Sequence, residues 1–395
     1  MSVPTALRLQ RIPPYPFDEI AKIKARKLAQ GAELVDLGIG DPDLPTPPHI
    51  VEALCRAARD SATHTYDESG FGLLEFREAV AAWYQRRFGV ELDVGSEIQS
   101  LIGSKEGIAH VFLAYISPGD YALVPDPRYM VYSTGAMFAD GSYYAMPLDA
   151  QQGYLPDLHA VPADVVRNAR LLFINYPNNP TGATAPLEFF EQAVQFGRAH
   201  NLLVCHDCAY SEVAYDGLQV PSILQVEGAK EVCLEFHSLS KTYNMTGWRV
   251  GFVVGNRQAV AALSKVKTNV DSGVFMAVQR AAVAALNGPQ DCVKQMQAAY
   301  QARRDQLVPG LCALGWQVEK PKATFYVWAR VPGAACSAEF AARLLEEGNV
   351  LVIPGSLYGN QGEGYVRMSL TIKGREKSGL IERALAGIER VLRTS

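Results

Sequence analysis

Lys241 stands in the run Glu235 to Gly251, EFHSLSKTYNMTGWRVG, with Ser238 and Ser240 just before it and Arg249 eight residues after it. A lysine amine attacks a carbonyl only when it is deprotonated, and neighbouring cations bring it toward that state. Two serine hydroxyls and the planar fork of an arginine suit a phosphate dianion. An aldehyde that also bears a phosphate would engage all four groups, and pyridoxal phosphate is such a cofactor. Taken alone, the same run also reads as a Ser/Thr-rich loop with a solvated lysine and arginine, so the weight falls on the rest of the chain.

Further candidates lie along the sequence. In LGIGDPDLPTPP, Gly38 and Gly40 let the backbone approach a ligand, or simply form a tight strand-to-helix turn. SLIGSKEGIAHVFLAYI reads as a strand ending at Gly103 and a helix starting at Ser104, whose free N–H groups at Ser104, Lys105 and Glu106 suit an anion. A plain structural cap explains it as well. Tyr66 precedes a glycine-containing turn. Tyr129 follows Asp126-Pro127, where its ring could stack on a flat cofactor. Asn179 sits in NYPNNPTG, and Asp207 ends LLVCHD with Tyr210 three residues on. A carboxylate deep at a strand end needs a partner, and a protonated pyridine nitrogen is one. Cys205 and Cys208 have CxxC spacing, but with no second pair they read as buried small hydrophobes and no metal site is expected.

These residues need a scaffold. Between Tyr121 and Asp207 short apolar runs alternate with helical stretches, the rhythm of a parallel sheet covered on both faces, with functional loops at the carboxyl ends of its strands. A helical stretch is expected from Asp18, a plausible N-cap, to about Gln30, and a long, broken helical region from Arg257 to Leu314. Strands near FYVWARV, VLVIPGS and VRMSLT, with a last helix from Arg375 to Arg393, form a smaller α/β unit that carries Arg367. The expected division is an N-terminal arm and first helix over 1–34, a large domain over 35–290 and a small domain over 291–395.

The composition narrows the class. The 395 residues are 48% hydrophobic and 20% charged, enough for a large core. Lys+Arg 37 against Asp+Glu 41 gives −4, and without a basic run no nucleic-acid partner is expected. No membrane span and no apolar leader is read, so a cytoplasmic protein is expected. Seven scattered cysteines read as reduced thiols.

Taken in order, NPTG at Asn179, the Asp207/Tyr210 pair, SLSK ending at Lys241, Arg249 and the late arginine of YVRMSL resemble the class I aminotransferases of the aspartate aminotransferase fold, over essentially the whole chain. The resemblance implies an α/β fold type I pyridoxal-phosphate enzyme that moves an amino group between an amino acid and 2-oxoglutarate by a ping-pong mechanism. By resemblance Lys241 is linked to the cofactor, Asp207 holds its ring nitrogen, and Asn179 and Tyr210 bind its phenolic oxygen. Ser104, Lys105, Ser238, Ser240 and Arg249 would hold the phosphate, joined by Tyr66 of a second subunit in a homodimer with shared sites. Tyr129 would stack on the ring, and Arg367 would take the substrate carboxylate near Gly40. IPPYPFDEI, LGIGDPDLPTPPHIVEAL and IGSKEGIAH are similar to LL-diaminopimelate aminotransferases, in which Tyr15 and Glu68 would read the far end of the substrate. Arg128 and Met130 depart from the small residue and proline frequent there. An aspartate or alanine aminotransferase, or a carbon–sulfur lyase on the same fold, would keep the same central residues.

Overall fold

The computed structural model describes residues 3–13, 17–334, 336–372 and 379–393. Tyr15 therefore lies outside the described residues. The strands are β1 (Val35–Asp36), β2 (Ile98–Leu101), β3 (Tyr121–Asp126), β4 (Ser142–Pro147), β5 (Ala169–Asn175), β6 (Leu203–Asp207) and β7 (Cys233–Ser238). They continue with β8 (Gly251–Gly255), β9 (Gln317–Val318), β10 (Tyr326–Arg330), β11 (Val350–Leu351), β12 (Ile353–Pro354) and β13 (Tyr365–Ser369).

Seven of them form one sheet in the order β2-β8-β7-β6-β5-β3-β4. Only β8 runs against its neighbours; β4, β3, β5, β6 and β7 are parallel. Parallel strands buried on both faces need apolar residues at successive positions. β5 meets this demand: Leu171 and Phe173 join the core on one face, Leu172 and Ile174 the core on the other. The helices Ser104–Tyr115 and Arg257–Val270 supply one face, and Leu74–Phe88 and Leu187–His200 the other.

A four-stranded antiparallel sheet, β12-β13-β10-β9, forms a second layer toward the C-terminus. Strand β1 forms a separate two-stranded parallel sheet with β11, Val35 facing Val350, and just beyond it Ser369 N–H donates to Leu37 O at 2.6 Å. The first long helix spans Phe17–Ala29, so Asp18 is its second residue and not its N-cap; the residue before Phe17 lies outside the described residues. The last helix, expected from Arg375, is described over Leu380–Arg393, since 373–378 are not described. Among the described residues no helix is long and apolar enough to cross a membrane.

Candidate active site

Asp126, Asn175, Asp207 and Ser238 end four neighbouring strands, and the loops beyond them enclose a cavity of about 490 Å³. Gly40, Ser104, Lys105, Tyr129 and Asn179 line it, together with Asp207, Tyr210, Ser238, Ser240, Lys241, Arg249 and Arg367. Tyr66 and Glu68 do not; both are exposed on the turn that follows Thr63, Tyr66 at 77%.

Lys241 reaches into this cavity from the short helix Leu239–Thr242 that caps β7. Its Nζ donates to Gly40 O at 3.1 Å. Burial pulls the ammonium down to about 8; Asp41 opposes this, and Arg367 and Arg249 add to it. The amine is thus close to its reactive form near neutral pH.

Asp207 ends β6 opposite Asn175 of β5, whose side-chain amide donates to Asp207 O at 2.7 Å. Tyr132 donates to Oδ2 at 2.7 Å, while the buried Oδ1 has no partner among the described residues. Burial raises the carboxyl above its ordinary range, against the Tyr132 hydrogen bond and the His206 ring. One unsatisfied carboxylate oxygen in such a place calls for a cationic donor. Behind Asp207 lies a second buried carboxylate. Glu235 Oε1 accepts from Tyr84 at 2.6 Å, Ser222 at 2.8 Å and His237 at 2.9 Å. Oε2 accepts from His206 Nδ1 at 2.8 Å and Ile223 N–H at 2.9 Å. Cys208 lies within ligand distance of His206 and Glu235, yet those two are already bonded to each other. Cys205 and Cys208 are both buried thiols.

At the opposite wall Arg367 is 4% exposed. It donates to Asn179 Oδ1 at 2.9 Å and Gly38 O at 2.8 Å, and its Nε has no partner among the described residues. Its guanidinium lies 4.0 Å from the Tyr326 ring centroid and 5.0 Å from that of Tyr358. Asn179 is itself held, its N–H donating to Asn175 Oδ1 at 2.8 Å.

The third wall suits an anion. Gly103 has φ +77°, and a Cβ there would come within 2.3 Å of the Arg249 guanidinium. It turns the chain so that the N-terminus of the Ser104–Tyr115 helix begins at the cavity; the Glu106 N–H expected to face an anion donates instead to Gly103 O at 3.2 Å. Arg249, at φ +55°, is held by Thr246 O at 3.0 Å and Ile102 O at 3.3 Å. Ser238 Oγ accepts from Ser240 N–H at 3.3 Å and keeps its own proton to donate. Ser240 Oγ is buried without a partner among the described residues. Burial, then Arg249, lowers the Lys105 ammonium.

The family model described as aminotransferase class I and II matches residues 32–383. The chain belongs to this family. It is 54% identical over 378 residues to the LL-diaminopimelate aminotransferase of Moorella thermoacetica, covering 96% of this chain and 97% of that one. It is 53% identical over 385 residues to the LL-diaminopimelate aminotransferase of Gloeobacter violaceus, covering 96% and 98%. Among solved structures, substrate-bound BacF from Bacillus subtilis superimposes with TM-score 0.94 at 37% identity, covering 99% and 98%. Thermus thermophilus aspartate aminotransferase does so with TM-score 0.91 at 28% identity, covering 99% and 100%.

Aminotransferases of this family use pyridoxal phosphate, and the residues present fit it. A reactive amine, an orphaned carboxylate oxygen and a wall of N–H, hydroxyl and guanidinium donors match its aldehyde, ring nitrogen and phosphate in chemical type. Sequence reasoning missed Asp41, Met130, Thr246, Tyr326 and Tyr358, which also line the cavity, and Tyr132, which holds Asp207. Asp41 was within reach of the sequence, since it follows Gly40 directly. In the sequence Tyr326 is read only as part of the strand near FYVWARV, and Tyr358 is not singled out.

Proposed function

We propose that this aminotransferase moves an amino group from LL-diaminopimelate to 2-oxoglutarate. One observation carries the reaction class: a buried lysine amine brought near neutrality and a buried, forked arginine share one cavity. The substrate follows from the names of relatives more than half identical over nearly the full chain.

In this reading Arg367 pairs with the substrate α-carboxylate, with Gly40 close by, and so orients Cα. Asp207 holds the ring nitrogen protonated through its spare oxygen, and Asn179 and Tyr210 donate to the phenolic oxygen. Tyr129 would stack on the cofactor ring. Ser104, Lys105, Ser238, Ser240 and Arg249 bind the phosphate. When bound, pyridoxal phosphate supplies the electron sink for charge left at Cα. Lys241 Nζ would take the proton from Cα and deliver it to the carbon that carries the cofactor's aldehyde, and would move it the opposite way in the second half-reaction. Tyr66 completes the phosphate site of a partner in a cytoplasmic homodimer; its exposure in the single chain and the seven free thiols support this. Tyr15 and Glu68 of this sequence are proposed to read the distal amino-acid centre.

The test is a screen of LL-diaminopimelate, aspartate, alanine and aromatic donors with 2-oxoglutarate. LL-diaminopimelate should give the highest kcat/KM, and Tyr15→Phe should lower that value while sparing aspartate. No turnover of LL-diaminopimelate would overturn the substrate; pyruvate and ammonia formed without an acceptor would assign a lyase.

A further inference from the structure

Tyr326 touches both ends of the cavity. On β10 it pairs with Ser369 of β13, which makes Arg367, two residues away on the same strand, its diagonal neighbour. The guanidinium lies 4.0 Å from its ring centroid, within cation–π range. Its hydroxyl lies 3.1 Å from that of Tyr210. Gly40 makes room for it, since a Cβ there would fall 2.0 Å from the Tyr326 oxygen.

Two hydroxyls joined by one hydrogen bond have two protons between them. If Tyr210 is to donate into the cavity, the shared bond must carry the proton of Tyr326. Burial, then Tyr326, raises the Tyr210 phenol well above its ordinary value, so Tyr210 stays protonated and available as a donor. A hydroxyl that accepts one hydrogen bond donates a stronger one.

We propose that Tyr326 is a positioning residue: it donates to Tyr210, turns the Tyr210 proton toward the cofactor's phenolic oxygen, and ties that pair of hydroxyls to the arginine that receives the substrate carboxylate. The inference rests on the function proposed above. Asn179 offers a direct route between Arg367 and the cofactor; Tyr326, against the Arg367 guanidinium and the Tyr210 hydroxyl, is a second.

The experiment titrates the visible absorbance of the substrate-free holoenzyme in four proteins: the parent, Tyr326→Phe, Tyr210→Phe and the double variant. Asp41, Lys105, Asp207, Lys241, Arg249 and Arg367 border the cavity in all four, so none of them is the source of a difference. Loss of the Tyr326 hydroxyl weakens donation to the phenolic oxygen and should raise the midpoint by about 0.5–1 pH unit, the size of one hydrogen bond. The double variant should match Tyr210→Phe alone. An unchanged midpoint in Tyr326→Phe, or a shift that persists in full without the Tyr210 hydroxyl, overturns the proposal. A parent with no titrating visible band overturns instead the cofactor assignments beneath it. Tyr326→Leu removes the ring as well and should raise KM for every donor about threefold to thirtyfold, while Tyr326→Phe keeps the ring and should not. Equal KM in the two variants overturns the tie to Arg367.

Discussion

Burial and two arginines outweigh Asp41 and bring the Lys241 ammonium down to about 8, so that only a minor fraction is the neutral amine at pH 7. A lysine lowered to about 8 loses its proton as the pH rises through that value, so the neutral amine dominates above it. Cofactor added to apo-protein should therefore attach faster as pH rises and level off above about pH 8. Stopped-flow absorbance measures this; a rate still climbing steeply beyond pH 9 would contradict the buried setting. At Arg367 the two donated bonds end on different acceptors, Asn179 and Gly38, and a lysine cannot reproduce both. Arg367→Lys should lower kcat/KM for every donor by about 1.5–3 kcal/mol in barrier terms, the worth of a charged hydrogen bond. Steady-state kinetics with three donors would test it, and an effect on one donor alone would point to another arginine. Lys241, Arg249 and Asn179 were legible because each belongs to a short run of chemically distinctive residues, SLSK with Arg249 eight positions on and NPTG. Tyr326 was not, because FYVW is a continuous apolar run like any fully buried strand and its partners emerge only from the β10–β13 register.

The ends of β5, β6 and β7 set Asn175, Asp207 and Ser238 side by side, and the residues beneath keep those ends in line. Burial alone would raise Glu235, but bonds donated by His206 and His237 outweigh it and hold the carboxylate ionised well below its ordinary range. The His206 ring lies between Glu235 Oε2 at 2.8 Å and Tyr176 O at 2.9 Å, which fixes its orientation beneath the strand ends. Glu235→Gln would set an NH2 group against donors and remove one member of a buried pair. It should destabilise the fold by about 3–5 kcal/mol, measured by denaturant unfolding. A loss below about 1 kcal/mol would mean that the strand ends do not depend on this carboxylate. The strands and the breaks between the long helices were legible from periodicity and glycine or proline punctuation. The start at Asp18 was misread because an aspartate in the first turn satisfies the same N-terminal preference as a cap.

Across the whole molecule, exposed apolar residues gather near the turn that carries Tyr66. Leu74 is 56% exposed, Val270 63% and Phe275 50%. The two segments adjoin, since Leu73 N–H donates to Gln279 and a Cβ on Gly70 would meet Thr268. A homodimer interface would cover them, and specific interfaces of this kind bury more than about 1,000 Å². Light scattering in dilute solution should return twice the chain mass, with Tyr66→Phe weakening cofactor retention; a fully active monomer would rule out the shared site. Such an exposed surface is not written in composition, because a sequence shows apolar residues without showing which remain uncovered once the chain has folded.

Strand β1 has a temporal meaning. It pairs with β11, Leu37 bonds to Ser369, and Arg367 bonds to Gly38, so the first forty residues meet partners made some three hundred positions later. Every strand of the seven-stranded sheet, by contrast, precedes Asn256. As the chain leaves the ribosome, the lysine and the anion wall are complete while β1 and its glycines still wait for their neighbours. The end of the cavity that carries Arg367 is completed only after every strand of the large sheet has been made.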